Sequence, residues 1–409
     1  MAAQYQAAQR YRAGAVALTL AVVCFAASAS AQQPVQQPVQ QPQPAAQPRL
    51  LPRAEAVQLL TRIQQAARTL DYSGVLTHQQ GSRIQASRMV HVIDATGERE
   101  RIEALDGAPR EFLRHNDEVQ CLLPERQMVV RETRRGERFP GLLMAGVTAH
   151  LARPAERLTD YYQISVHPAM QRLAGRRCRP VSITPRDALR YGYRLCVDAS
   201  TSLLLQAQTL AATGEAWEAE VEAEAVVEQI AFTALQLGRD TDVALLASAW
   251  PNNQWPVYEH DFKPADLAAH GWSLRPPPGF VTVAQLRRRG WRSEVNSDVN
   301  NDVTDGDVNS DATDSETTAD ADHHDMLQLL LSDGLAAISV FIEPVRPDDT
   351  PAHLAPPVAH LQGAARQGAT NAWGARIANH WLIGLGEVPM ATLKSLIEST
   401  QYTPPAGSQ

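Results

Sequence analysis

The sequence lacks the short strings that mark common catalytic sites. It has no Gly-x-Ser-x-Gly elbow, no His-Glu-x-x-His, no Gly-x-Gly-x-x-Gly and no phosphate-loop Gly-Lys. Carboxylates are plentiful, yet nothing in their spacing marks a paired acid and base. No enzyme and no cofactor are therefore expected. Lysine is almost missing: Lys263 and Lys394 are the only two among 37 basic residues. This fits a GC-rich coding sequence, and it leaves guanidinium groups that grip carboxylates and phosphates bidentately. Beyond the amino terminus no run reaches the ~18 consecutive apolar residues of a membrane helix, so a soluble mature chain is expected. Basic residues are absent between Glu294 and Asp325, where eleven acidic ones lie. The formal charge is -8 for the whole chain but +3 without those eleven, so a mildly basic body carries an acidic insert.

What is present begins with a targeting signal. Arg10 and Arg12 form a basic start, Ala13 to Ala27 a short apolar core, and Ala29-Ser30-Ala31 a small-x-small cleavage site. Residues 1–31 read as a cleaved Sec signal peptide, with the mature chain starting at Gln32 in the periplasm. Val23 stands before Cys24 where a lipoprotein signal needs a small residue, so lipidation is not expected. Residues 32–48 are a Gln/Pro-rich run that cannot bury enough apolar surface to order itself, and read as a tether. Export and the acidic insert together argue against nucleic acid as a partner.

Order is expected from Pro52, which suits a first helical position. Val57, Leu60, Ile63, Ala67 and Leu70 follow at three- and four-residue steps, predicting an amphipathic helix over 52–70. From Tyr72 the signals are strands at Ser73–Gln79, Ser87–Ile93, Arg99–Leu105, Glu118–Leu123, Met128–Thr133, Tyr162–Val166, Val181–Thr184, Tyr191–Val197 and Leu203–Leu210. A last one runs through Trp217–Val227. Turns recur every 8 to 15 residues, many with Gly or Asp-Gly, which predicts one large antiparallel sheet. The domain is placed at 50–232, a linker at 233–253 and a smaller domain at 254–402, with the insert 294–325 as a disordered loop. The smaller domain is expected to hold strands at Val281–Leu286, Met326–Leu331, Ala336–Ile342 and Trp381–Leu385, and a final helix opened by Pro389. The fold class is α+β.

Cys121, Cys178 and Cys196 remain after the signal. A hairpin turning at Pro185-Arg186-Asp187 would bring Cys178 and Cys196 across from one another, within reach of a disulfide in an oxidising compartment. The alternative is two reduced, buried thiols. His323, His324 and Asp325, with Asp320 and Asp322, fail the EF-hand pattern, so no metal is expected.

Several strings together carry a family resemblance. The strongest is SRMVHVIDATGERERIEALDGAPRE, ending at Glu111. LDYSGVLTHQQG, NDEVQCLLPE, LTDYYQISV and GRRCRPVSITPRDALRYGYRLCVDASTSLLLQAQTL flank it in order, and PPGF, LLSDGLAAISVFIEP and GEVP follow in the second domain. In this order and spacing the chain resembles the RseB/MucB family over roughly three quarters of its mature length. The Gln/Pro tether and the acidic insert depart from that pattern.

The resemblance implies a large open antiparallel half-barrel of the lipoprotein-carrier type with helices across its mouth, and a small sheet domain with a helix. It implies a regulator that binds the periplasmic domain of an anti-sigma factor of RseA/MucA type. Such a regulator shields its partner from site-1 proteolysis and lets go on sensing lipid, lipopolysaccharide or lipoprotein. It allows a homo-oligomer. A lipid or lipoprotein carrier is the alternative. Phe139, Leu142, Leu143 and Met144, apolar and flanked by glycines, are candidates for the lip of a lipid pocket; an ordinary core helix is the competing reading. Arg131, Arg134, Arg135 and Arg138 are candidates for an anionic ligand or partner, against a solvated hairpin tip. Ser332-Asp333-Gly334 is a candidate partner-docking turn, against a tight turn in which Asp caps its own backbone.

Overall fold

The computed structural model describes residues 47–133, 155–211, 225–238, 243–259, 262–289, 325–345 and 361–405. Helix α1, Arg53–Thr69, follows Pro52 as its N-cap and buries Ala56, Leu59, Leu60, Ile63, Ala66 and Ala67 along one stripe. It lies across a sheet of fourteen described strands. That sheet is two meanders joined side by side. One runs Tyr72–Gln80, Arg83–Asp94, Gly97–Ala104, Glu111–His115, Glu118–Leu123 and Met128–Thr133. The other runs Tyr162–Val166, Arg176–Pro185, Gly192–Asp198, Leu204–Leu210 and Val226–Leu237. They meet where the first strand pairs antiparallel with the last, Thr77 opposite Ala231. The path ends at Arg49–Leu50 on one side and at Val257–Glu259 on the other, so among the described residues the sheet stays open.

Alternation places Tyr162, Ile164, Val181, Ile183, Leu195 and Val197 under α1. Tyr72, Leu76, Met89, Ile102, Ile230 and Phe232 continue that apolar face toward the far end. Helix α2, Ala155–Tyr161, buries Leu158 in the same core. Arg53 ties the helices together, its Nη1 2.5 Å from Asp160 and its Nη2 donating to the Glu156 carbonyl.

The smaller sheet has seven described strands, in the spatial order Phe262–Pro264, Val281–Arg289, Asp325–Ser332, Ala337–Pro344, His380–Gly386, Thr370–Ile377 and Gly363–Gln367. Ile338, Val340 and Ile342 alternate inward and are fully buried. Helix α3, Met390–Glu398, starts after Pro389 and packs Leu393, Leu396 and Ile397 onto that face. No described helix is long and apolar enough to cross a membrane.

The α+β architecture expected from the sequence is thus the one observed. Some details differ. Of the strand expected at Trp217–Val227, residues 217–224 lie outside the described residues; the strand Val226–Leu237 begins at the end of that span and runs into the one expected as linker. The hairpin Gly363–Gln367 with Thr370–Ile377 was not expected at all. The disulfide expected between Cys178 and Cys196 is present, with Cα atoms 5.4 Å apart, but the two are not directly opposed. They sit on a diagonal, since the register sets Cys196 opposite Pro180 and Cys178 opposite Asp198.

Candidate functional site

The strand Gly97–Ala104 carries the Glu-Arg-Glu-Arg-Ile-Glu string, and the period of two sends its charges to opposite faces. Glu98, Glu100 and Ile102 share the helix-covered face with His91, Met89 and Arg114, their cross-strand partners and neighbours. There Arg114 pairs with Glu98 and, at 2.9 Å, with Glu100. The two carboxylates hold its guanidinium above the usual range against the opposing pull of burial. His91, fully buried, places Nδ1 2.8 Å from the Leu70 carbonyl and Nε2 3.2 Å from Glu98. Its ring stacks on Tyr72. Burial, then the Glu100 charge, pushes the Tyr72 phenol up.

Arg101 and Glu111 face the other way. Both are buried and paired through Arg101 Nε. Glu111 also accepts from the Ser248 hydroxyl and, at 3.3 Å, from the Ala249 amide, and Arg101 Nη1 donates to the Leu245 carbonyl at 3.1 Å. One buried ion pair therefore straps the connecting segment 243–256 onto the back of the sheet. At the strap's end Val257–Glu259 pairs in parallel with Val129–Arg131.

A buried polar site lies where the two sheets meet. The hairpin tip between Pro185 and Gly192 enters the small domain as a plug. Arg190 has no exposed side-chain surface, and neither has Asp333. Arg190 donates from Nη1 to Asp333 Oδ2 at 2.8 Å, from Nε to Asp187 at 2.9 Å and from Nη2 to the Pro278 carbonyl at 2.6 Å. Burial works against this cation, but Asp333 and Asp187 outweigh it and hold the group above its ordinary range. Tyr161 and Phe280 present their ring faces to it at 4.7 and 5.1 Å. Gly279, at φ +86°, admits this approach: a Cβ there would sit 2.8 Å from the Tyr161 ring and 3.0 Å from Arg190 Nη2.

Asp333 serves two masters. Its Oδ1 accepts from the Leu335 and Ala336 amides, closing the turn, while Oδ2 accepts from Arg190 and, at 2.8 Å, from the Tyr162 hydroxyl. Burial and the Asp333 charge raise the Tyr162 phenol well above its usual range. On either side of Arg190, the Leu189 carbonyl accepts from Thr392 Oγ1 at 3.1 Å and the Tyr191 hydroxyl accepts from Asn371 Nδ2 at 2.8 Å. A second contact closes the junction elsewhere. Glu228 Oε1 meets His78 Nε2 at 2.5 Å, and Oε2 accepts from the Ala369 amide at 2.9 Å. Gly368, φ +59°, makes room for it, since a Cβ would stand 2.9 Å from Glu228 Oε2.

The residues singled out in the sequence fall as follows. Ser332, Asp333 and Gly334 form the tight turn, with the Gly334 amide donating to Ser332 Oγ, and Asp333 docks onto the chain's own large domain. Arg131 lies between Glu118 and Glu259, each at 3.4 Å. Arg134, Arg135, Arg138, Phe139, Leu142, Leu143 and Met144 lie outside the described residues, as do the histidines at 323 and 324. No group of three or more His, Cys, Asp or Glu among the described residues could hold a metal ion. The plug itself, Leu189 to Tyr191, was not anticipated as a site. Its signal was an arginine flanked by apolar and aromatic residues just after the expected hairpin turn.

A helix-covered open sheet, strapped from behind and plugged into a smaller sheet domain, defines a two-domain α+β protein built around an internal polar junction. Family models place it further. The MucB/RseB N-terminal domain matches residues 55–253 and the MucB/RseB C-terminal domain matches 266–401. The chain belongs to the MucB/RseB family. Sigma factor AlgU regulatory protein MucB of Pseudomonas aeruginosa is 26% identical over 294 residues, covering 71% of this chain and 75% of that protein. Sigma-E factor regulatory protein RseB of Haemophilus influenzae is 20% identical, covering 85% and 91%. The fold is shared with the crystal structure of MucB in complex with MucA(peri), with TM-score 0.53 at 23% identity over 85% of this chain and 98% of that one. A Pseudomonas aeruginosa MucA/MucB complex gives 0.55, also at 23% identity.

Proposed function

We propose that the chain is a periplasmic regulator that binds the periplasmic part of a single-span anti-sigma factor and holds back its proteolysis until a lipid signal arrives. The observation that carries this reading is the match of both halves, in order, to the MucB/RseB N- and C-terminal domains. MucB, a relative, forms a complex with MucA. The sheet face from Tyr162 to Phe232 is apolar and is covered by α1 and α2, so an acyl chain would take the place of those helices on it. Each buried CH₂ would contribute about 0.8 kcal/mol. Release further requires that lipid bind the partner-free state more tightly than the complex, because a ligand shifts an equilibrium only by its differential affinity.

The test is a titration of the mature chain, Gln32–Gln409, against the periplasmic segment of its own organism's anti-sigma factor, with and without lipopolysaccharide fragments. Saturable binding at micromolar or lower concentration, weakened by lipid, is expected. Binding that lipid leaves unchanged would keep the regulator and remove the sensing step. No binding by folded, oxidised protein would overturn the reading in favour of a lipid or lipoprotein carrier, which has no need of the second domain.

A further inference from the structure

The junction joins more than two sheets. Arg190 is walled on one side by the small domain and on the other by Tyr161, the last residue of α2, and Tyr162, the first of the strand that follows. Asp333 Oδ2 is shared between the Arg190 guanidinium and the Tyr162 hydroxyl. Helix α2 in turn packs Leu158 into the core under α1. A continuous run of contacts thus leads from the helical cover of the large sheet to a buried charge in the small domain. A partial opening would leave Arg190 or Asp333 charged, dry and unpaired, a state costlier than either a seated or a fully separated junction. Arrangements of this kind have two states rather than a graded series.

We propose that the junction is a concerted latch gated from the helical cover. Displacing the end of α2 withdraws Tyr161 from Arg190 and, through the peptide bond that joins the two tyrosines, draws the strand residue Tyr162 off Asp333. The junction then opens as one unit, the separate Glu228–Ala369 contact included. The ligand that would lift α2 rests on the regulator reading; the latch itself does not.

The Ala369 amide is a built-in reporter, because its hydrogen is held across the junction by Glu228. Amide hydrogen exchange is measured on the full chain and on Tyr162→Phe, which deletes one hydroxyl. Removing a hydrogen bond to a charged, buried group should speed Ala369 exchange by about ten- to a hundred-fold. Amides of the central strand Gly192–Asp198 should keep their wild-type protection. Asp333→Asn is the second variant: it retains the Oδ1 turn contacts and turns a donor toward Arg190 and Tyr162. It should act in the same direction. Unchanged Ala369 exchange in both variants would refute the latch. So would acceleration at Ala369 matched by equal acceleration in the central strand, since the junction would then open only by global unfolding. No arm uses the anti-sigma segment, so failure here leaves the titration above standing, and the reverse holds too.

Discussion

Glu111→Ala is the sharpest test of how the large sheet holds its strap. Glu111 has no exposed side-chain surface and takes three donors: Arg101 Nε, the Ser248 hydroxyl and the Ala249 amide. Removing one partner of a buried pair costs about 3–5 kcal/mol, because the survivor is left charged and dry. Here the survivor keeps some company, since Arg101 Nη2 stays 3.0 Å from Glu103, which is partly exposed. The expected loss is therefore about 3 kcal/mol, the lower end of that span. It should fall first on the strap, where Ser248 and Ala249 lose their acceptor. Trp250 and Trp255 lie in that segment, so their fluorescence should report a release at lower urea than the far-ultraviolet signal of the sheet. The apolar double variant Arg101→Met/Glu111→Leu should recover most of the sheet's stability while leaving the strap loose. A loss under about 0.5 kcal/mol, the worth of an exposed pair, would show that the pair is not desolvated and would sink the argument.

Two further outcomes are expected. Replacing Cys178 and Cys196 together by Ala should destabilise the large sheet by about 3 kcal/mol, because the bridge closes a short loop in the unfolded chain. Equal urea midpoints for the variant and the oxidised parent would contradict this. Asp198 is buried, which alone would raise its carboxyl. Hydrogen bonds from Arg176, Ser200 and Thr201 outweigh that and depress it far below the ordinary carboxylate value. Its contribution is then fully present above the unfolded value of about 4 and is lost as pH falls below it toward the folded value. Asp198→Asn should flatten that acid limb of the stability profile. A limb of unchanged slope would assign it to other carboxylates.

The apolar framework was legible because its periods are simple. Helix α1 was expected at 52–70 and occupies Arg53–Thr69, its steps of three and four residues unbroken by Gly or Pro. Glu118–Leu123 and Met128–Thr133 were placed at their observed bounds by alternation between clear turns. The hairpin at Gly363–Ile377 escaped notice because GAARQ and TNAWGARI are rich in small residues and alternate weakly; pairing on its neighbours makes it a sheet. Asp333 was legible as a turn residue, since Oδ1 does act locally, but its second oxygen is committed to a partner 143 residues away in sequence. Arg190 was opaque for the same reason. A turn arginine reads as solvated, and only the meeting of Pro278, Phe280 and Asp333 around it makes it a buried plug.

The place where the small domain docks has a consequence for how the molecule comes together. Its contacts reach Gln80 on the first strand of the large sheet and Glu228 on the last, and Glu228 is itself held by His78 of the first strand. Those strands become neighbours only when the two meanders join, across about 150 residues of intervening chain. Neither meander alone presents the surface that receives Ala369 and Gln367. The receiving surface is thus composite, and docking doubles as a check on assembly. A chain whose meanders have folded separately has no complete seat for the small domain, however well each half is formed.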